Sequence, residues 1–418
     1  MFSENRKISS RQAAALFQAD WLGRLVLFLP LLVQGKSKGA VLVGGIAGIF
    51  LTAVLLGVFC TGARDGERDY YGSVCRAAGR FYGNLLYLVY VLYFLLQTGI
   101  LLYLCSAAAR LYLLPDVPFW VLPLLPGIAG IYLAGGGMEV RGRLSQMLSG
   151  FVGILLLLLL AVSLLQIKGE RLLEAQQFSF LETLETAVFL AGSFGDIGIL
   201  PMVLSVTQKE KGWKRRLYQT LGFSGFILLL VFLGGYGIFG QAGMGRLEWP
   251  VLSLMSTSNL QGVFFQRWDV LAVGLLMVSL FLAVGSGLYY LGIAGTCLLG
   301  EEQREKEPAK EEVTIENGTI EGKRKNAAGK GTRKEKNRIA AKERGRKKSG
   351  EIREQGIRIA GFLGSYGLSL TLLFWPEGRM AAGRLGCFLL APLMIVLVLL
   401  VRPIQRVRWR KRRAKWRQ

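Results

Sequence analysis

The sequence predicts an all-α polytopic membrane protein of about ten transmembrane helices, and three observations predict it. Apolar stretches of roughly 20 residues, the length a helix needs to cross a bilayer core at 1.5 Å rise per residue, recur along the whole chain. Hydrophobic residues make up 52% of the sequence, with a mean hydropathy of +0.40 and 54 glycines that suit close helix packing in lipid. Lys and Arg gather on alternate connections. A lipid-facing amide without a partner costs several kcal/mol, so each crossing must be a helix whose backbone is satisfied within itself.

The ten spans are expected at 13–33, 40–60, 82–108, 118–134, 147–165, 183–206, 217–237, 269–291, 357–374 and 384–401. An even count puts both termini on one side. Arg6, Lys7 and Arg11; Arg64, Arg68, Arg76 and Arg80; Arg141 and Arg143; Lys209, Lys211, Lys214, Arg215 and Arg216; and the tail from Arg402 to Arg417 fall on that side. The opposite connections carry only a few, such as Lys36, Lys38, Lys168, Arg171, Arg246 and Arg379. The positive-inside rule therefore places both termini in the cytoplasm. Met1 to Gln12 is polar and does not read as a cleavable signal, so the first span is expected to stay in the mature protein.

Four regions follow: spans 1–8 in residues 1–300, a basic cytoplasmic insertion at 301–355, spans 9 and 10 in 356–401, and a polybasic tail at 402–418. The insertion is crowded with Lys, Arg and Glu and almost free of aromatics, so it is expected to be disordered. The tail sets Arg and Lys around Trp409 and Trp416, which suits adsorption onto anionic lipid. The formal charge of +23 is explained by topology, and nucleic acid is not expected as a partner. The connection from Ile238 to Trp268 holds Trp249, Pro250, Leu252, Leu254 and Met255; it reads either as a short helix lying over the outer face or as an interfacial anchor through Trp249.

Much chemistry is excluded. The chain has no histidine, which removes imidazole ligands and the usual general base. Cys60, Cys75, Cys105, Cys297 and Cys387 stand singly, with no spacing suited to a metal, and are expected to be reduced structural thiols. No zinc-protease, serine-hydrolase or paired-carboxylate motif occurs, so neither an enzyme nor a cofactor is expected.

What remains is charge at membrane depth, which is costly and calls for a reason. In the first span Asp20 and Arg24 lie four apart, on one face of a continuous helix, and are expected to neutralise each other; Gly23 lies between them and Pro30 follows. The sixth span carries Gly192-Ser193-Phe194-Gly195-Asp196-Ile197-Gly198 and then Leu200-Pro201. Both read as an acid with glycine, an apolar stretch and Leu-Pro, and each opens a five-span half. That grammar points to an inverted-repeat transporter with spans 1 and 6 broken around a central site. The alternatives are glycines used only for packing and a structural ion pair. At such a site free backbone N–H groups could hold the carboxylate of an amino acid, with Arg24 as second anchor and Asp20 or Asp196 meeting its ammonium. Gln97 and Thr98 in the third span offer polar lining.

Met1-Phe2-Ser3-Glu4-Asn5, Ile8-Ser9-Ser10-Arg11-Gln12, Leu29-Pro30, the run Gly137-Met138-Glu139-Val140-Arg141-Gly142-Arg143, and Arg267-Trp268-Asp269 together resemble the spore germination permease family. These are the GerAB-type B subunits of germinant receptors, a branch of the amino acid/polyamine/organocation superfamily. The resemblance implies a LeuT-like 5+5 core with broken helices 1 and 6, in the inner membrane of an endospore former. It also implies sensing of amino acids or similar solutes beside A-type and C-type receptor subunits. Carried over by position, residues around Gly23 and Gly195 would line the pocket; Arg24 stands where relatives usually have a small residue. The ligand-binding set is then Asp20, Gly23, Arg24, Gln97, Gly192, Ser193, Gly195, Asp196 and Gly198. The competing function is an active amino-acid transporter with protons carried by Asp20 or Asp196.

Overall fold

The computed structural model describes residues 8–62, 70–173, 179–257, 268–299 and 331–401. Among these, eight helices are long and apolar enough to cross a membrane: Ser10–Leu32, Lys38–Thr61, Arg80–Tyr112, Gly137–Leu164, Trp213–Arg246, Val270–Leu298, Gly350–Phe374 and Glu377–Val401. A ninth crossing is the bent pair Phe180–Ser193 and Gly195–Ser205, and the shorter apolar helix Leu124–Gly135 stands where the fourth span is expected. All ten expected spans thus have a helical counterpart, numbered here as spans 1 to 10 in chain order. Span 4 is the most curtailed, because Pro118 and Pro123 hold the residues before Leu124 in turns.

Span 1 starts on a capping box: Ser9 Oγ accepts from the Gln12 N–H (3.2 Å) and Gln12 Oε1 accepts from the Ser9 N–H (2.8 Å). The preceding Ile8–Ser9 pairs in parallel with Thr207–Gln208, so the chain entering span 1 is tied to the chain leaving span 6. Contrary to the expected break, span 1 is helical throughout Ser10–Leu32, with Pro30 inside it. Pro30 lies in the last turn, where its missing N–H removes only one rung before the helix ends.

Span 6 does break. Its first helix stops at Ser193, a 3₁₀ segment covers Gly195–Ile199, and a short helix, Leu200–Ser205, restarts at an angle of 47°. Pro201 sits in the first turn of the restarted helix, where its lack of an N–H does no harm. Elsewhere glycine serves close approach: a Cβ on Gly48 of span 2 would fall 2.8 Å from the Ala187 carbonyl oxygen of span 6.

Three other readings change. Of the insertion expected to be disordered, residues 331–355 belong to one long helix, Gly331–Phe374, that continues into span 9; residues 301–330 lie outside the described residues. Lys, Arg, Glu and Ala are strong helix formers, and extending an existing helix avoids the cost of nucleation. Span 7 runs to Arg246 rather than 237, through a kink at Gly240 (φ 68°). The following loop holds a short helix, Pro250–Ser256, with Val251, Leu252, Leu254 and Met255 buried against spans 1, 7 and 8. Trp249 is itself buried and stacks on Tyr103 at 6.5 Å, so it packs inside the bundle rather than anchoring at an interface. The polybasic tail lies outside the described residues.

Candidate functional site

The break in span 6 lays its three glycines against neighbouring helices. A Cβ on Gly192 would run into the backbone of Cys387 in span 10, one on Gly195 would lie 2.7 Å from the Tyr93 hydroxyl, and one on Gly198 would strike the Met394 side chain. The Gly198 carbonyl accepts from the Tyr90 hydroxyl at 3.0 Å, and Ser193 Oγ donates to the Phe189 carbonyl at 2.9 Å. These groups were expected to face a solute with bare peptide bonds. In this conformation the Gly198 carbonyl is taken by Tyr90 and the open faces of the three glycines lie against spans 3 and 10.

The side chains that converge are charged. Arg24 of span 1 meets Asp196 of the break, Nη2 to Oδ2 at 2.8 Å, and both are almost wholly buried. The expected Asp20–Arg24 pair is therefore not formed. Two side chains one turn apart lie parallel on a helix, whereas Asp196 sits across the interface in the path of the long Arg24 side chain. Asp196 Oδ1 also accepts from the Tyr93 hydroxyl at 3.2 Å. Gln97, with its amide oxygen turned to the guanidinium, accepts from Arg24 Nη1 at 2.6 Å and Nε at 3.3 Å. Spans 1, 3 and 6 are thus joined at one point, where loss of a single partner would strand a buried charge.

Asp20 faces a different cation. Its neighbours are Arg141 of span 5 and Ser286 of span 8. Arg141, 1% exposed, donates from Nη2 to Ser286 Oγ at 2.6 Å and lies over the rings of Tyr289 (4.5 Å) and Tyr290 (4.9 Å). The sequence reading counts Arg141 with the cytoplasmic loop charges, and the structure corrects this: helix starts at Gly137, ten residues before the expected span, which draws Arg141 into the bundle. Its partner Arg143, half exposed and paired with Glu139, keeps the loop role. Tyr93, Arg141, Ser286 and Tyr290 escape a search for charges inside apolar runs, since tyrosine and serine are ordinary in such spans and Arg141 stands beside a loop.

Asp20, Arg24, Gln97 and Asp196, with Ser286, Tyr290, Phe94, Leu101, Ala283 and Gly287, enclose a cavity of about 10 Å³, room for about one water. Gly23 lies off this cavity, against span 8. Its N–H donates to Ser279 Oγ (2.8 Å), and the same hydroxyl donates to the Ala19 carbonyl (2.6 Å). Ser279 thus stands across the rung that residues 19 and 23 would share. The inserted hydroxyl satisfies both groups, and the helix runs on through Gly23, where it was expected to unwind.

A small cavity thus lies between the bent span 6 and spans 1, 3 and 8. The sequence model of the family described as spore germination protein matches residues 7–309. The chain belongs to the spore germination protein family. Among its relatives from Bacillus subtilis (strain 168), spore germination protein YndE is 21% identical over 286 residues, covering 67% of this chain and 78% of YndE. Spore germination protein B2 is 24% identical over 282 residues, covering 65% of this chain and 74% of that protein. Solved structures with the same architecture include a Na⁺-coupled sialic acid symporter in a substrate-bound outward-open state, with a TM-score of 0.62 at 10% identity over 94% of this chain and 78% of the symporter. MhsT in complex with L-phenylalanine gives 0.52 at 15% identity over 94% of this chain and 98% of MhsT. The fold of this family member is accordingly all-α, multi-pass and LeuT-like, and the protein is a non-enzymatic membrane protein.

Proposed function

We propose that this germination protein is the solute-sensing B-type subunit of a spore germinant receptor. It receives a small zwitterion such as an amino acid between spans 1, 3, 6 and 8 and signals by changing conformation. The observation that carries this reading is the Arg24–Asp196 ion pair, which bridges span 1 and the break of span 6 and lines the small cavity between spans 1, 3, 6 and 8. A zwitterion supplies the same two charges: its carboxylate takes Arg24 and its ammonium takes Asp196, so the pair opens without leaving either charge unmet. A ligand that binds one conformation better than the other shifts the population between them, and A-type and C-type subunits in the spore inner membrane read that shift. Both termini lie in the cytoplasm on this reading, since the remaining loop charges keep their asymmetry without Arg141.

The test uses spores in which the chain is replaced by Asp196→Asn, with receptor level checked by immunoblot. Loss of the response to amino acids at normal receptor level is expected; an unchanged response overturns the reading. The second reading, a working amino-acid transporter, is favoured by the likeness to a symporter fold. Uptake of a labelled amino acid into liposomes under an imposed gradient, abolished by Asp196→Asn, would decide for it.

A further inference from the structure

Beside the Arg24–Asp196 pair, the cavity wall carries hydrogen-bonding atoms that meet no partner among the described residues. Asp20, almost wholly buried, accepts from the Ser286 hydroxyl and faces the Arg141 guanidinium, yet its Oδ1 meets no donor. On the same wall the Tyr290 hydroxyl donates to no acceptor. Arg141, which gives Nη2 to Ser286 and lies over the Tyr290 ring, keeps Nε and Nη1 without an acceptor. One spare acceptor and several spare donors thus surround a carboxylate and a guanidinium whose charges offset each other, and a buried polar atom left unmet is costly. Phe94, Leu101 and Ala283 add only apolar contact to the lining.

Resting on the proposal that a zwitterion enters between Arg24 and Asp196, we infer that Asp20 and Tyr290 form a side-chain subsite. It selects an amino acid ending in an uncharged group that both donates and accepts a hydrogen bond, an amide or a hydroxyl. The N–H or O–H of that group goes to Asp20 Oδ1 and its oxygen accepts from the Tyr290 hydroxyl, so both spare atoms are met at once. An apolar side chain of the same shape leaves both unmet, the condition under which a site rejects an analogue most strongly. A carboxylate brings like charge to Asp20, and an ammonium brings like charge to Arg141, the cation that already offsets Asp20. Arg141 holds Ser286 and Ser286 holds Asp20, so the acceptor is fixed in place before a solute arrives.

The test is equilibrium binding, to the purified full-length protein in lipid nanodiscs, of amino acids matched in shape: asparagine against leucine and aspartate, and threonine against valine. In one set or both, the uncharged polar member is expected to bind tighter than its counterparts by roughly tenfold or more, and Tyr290→Phe should cut that ratio by about fivefold or more. A smaller preference in both sets, or a ratio that Tyr290→Phe leaves in place, overturns the subsite, while amino-acid binding itself still upholds the zwitterion site. Binding of no amino acid overturns both. The wild-type ratio needs no variant and decides alone should Tyr290→Phe not fold.

Discussion

Arg24 bypasses the acid one turn away on its own helix and pairs with Asp196 across the bundle, 2.8 Å from nitrogen to oxygen. This contact couples the one unbroken and the one broken member of the span pair on which a transporter-like site depends. Removing one partner leaves a buried charge without its counterion. Asp196→Ala should therefore lower stability by about 3–5 kcal/mol, while the double replacement Arg24→Met with Asp196→Leu should lose far less. Chemical denaturation in detergent micelles checks this, and equal losses in both variants would contradict it.

Ser279 contributes to span 1 from outside. With its hydroxyl gone, the Gly23 N–H and the Ala19 carbonyl can bond only to each other, which recovers part of two hydrogen bonds. Ser279→Ala should cost about 1 kcal/mol and slow amide exchange at Gly23, as the rung closes directly. Hydrogen exchange read by mass spectrometry shows the second effect; faster exchange at Gly23 would mean the hydroxyl was not holding the rung open.

Gly192 has no room for a side chain, since its would-be Cβ meets the carbonyl and Cα of Cys387, backbone that cannot rotate aside. Gly192→Ala should cost about 1–3 kcal/mol by overpacking. Gly222, on span 7 with open space where a Cβ would sit, is the control. There Gly222→Ala should stabilise by roughly 0.4–1 kcal/mol through the unfolded chain. Melting temperatures of the two variants should move in opposite directions.

The chain entering span 1 is fastened at one surface by Glu210. Hydrogen bonds from Arg216 first and Ser10 second hold its carboxyl below the ordinary 4.5. A carboxyl depressed by folding stabilises the fold above its unfolded value and loses that contribution as pH falls through the folded one. Proteolysis near Ile8–Ser9 should accordingly quicken with acidification from pH 5 downward, and Glu210→Gln should remove that pH dependence while raising the rate at neutral pH.

The positions of the spans were legible because lipid forces apolar runs of fixed length, and glycine with proline in span 6 correctly marked its break. The unbroken span 1 was not legible: the hydroxyl that satisfies Gly23 and Ala19 comes from residue 279, and nothing local to span 1 announces it. Asp20, Arg24, Gln97 and Asp196 stood out as polar groups at membrane depth and do share the cavity. Their pairing was misread because helical spacing reports only neighbours on one helix, whereas Asp196 approaches from another. Arg141 was hidden by the positive-inside rule, which treats any arginine beside a loop as a topological signal. The helix over 331–355 was hidden by charge, which argues equally for disorder and for a solvated helix.

The most direct measurement is equilibrium binding of labelled amino acids to the purified full-length chain in lipid nanodiscs, wild type against Asp196→Asn and Arg24→Gln. Saturable binding of at least one amino acid to the wild type, weakened tenfold or more by either substitution, is predicted. Binding that is indifferent to both substitutions, or no binding of any amino acid, would contradict a solute site built on the Arg24–Asp196 pair.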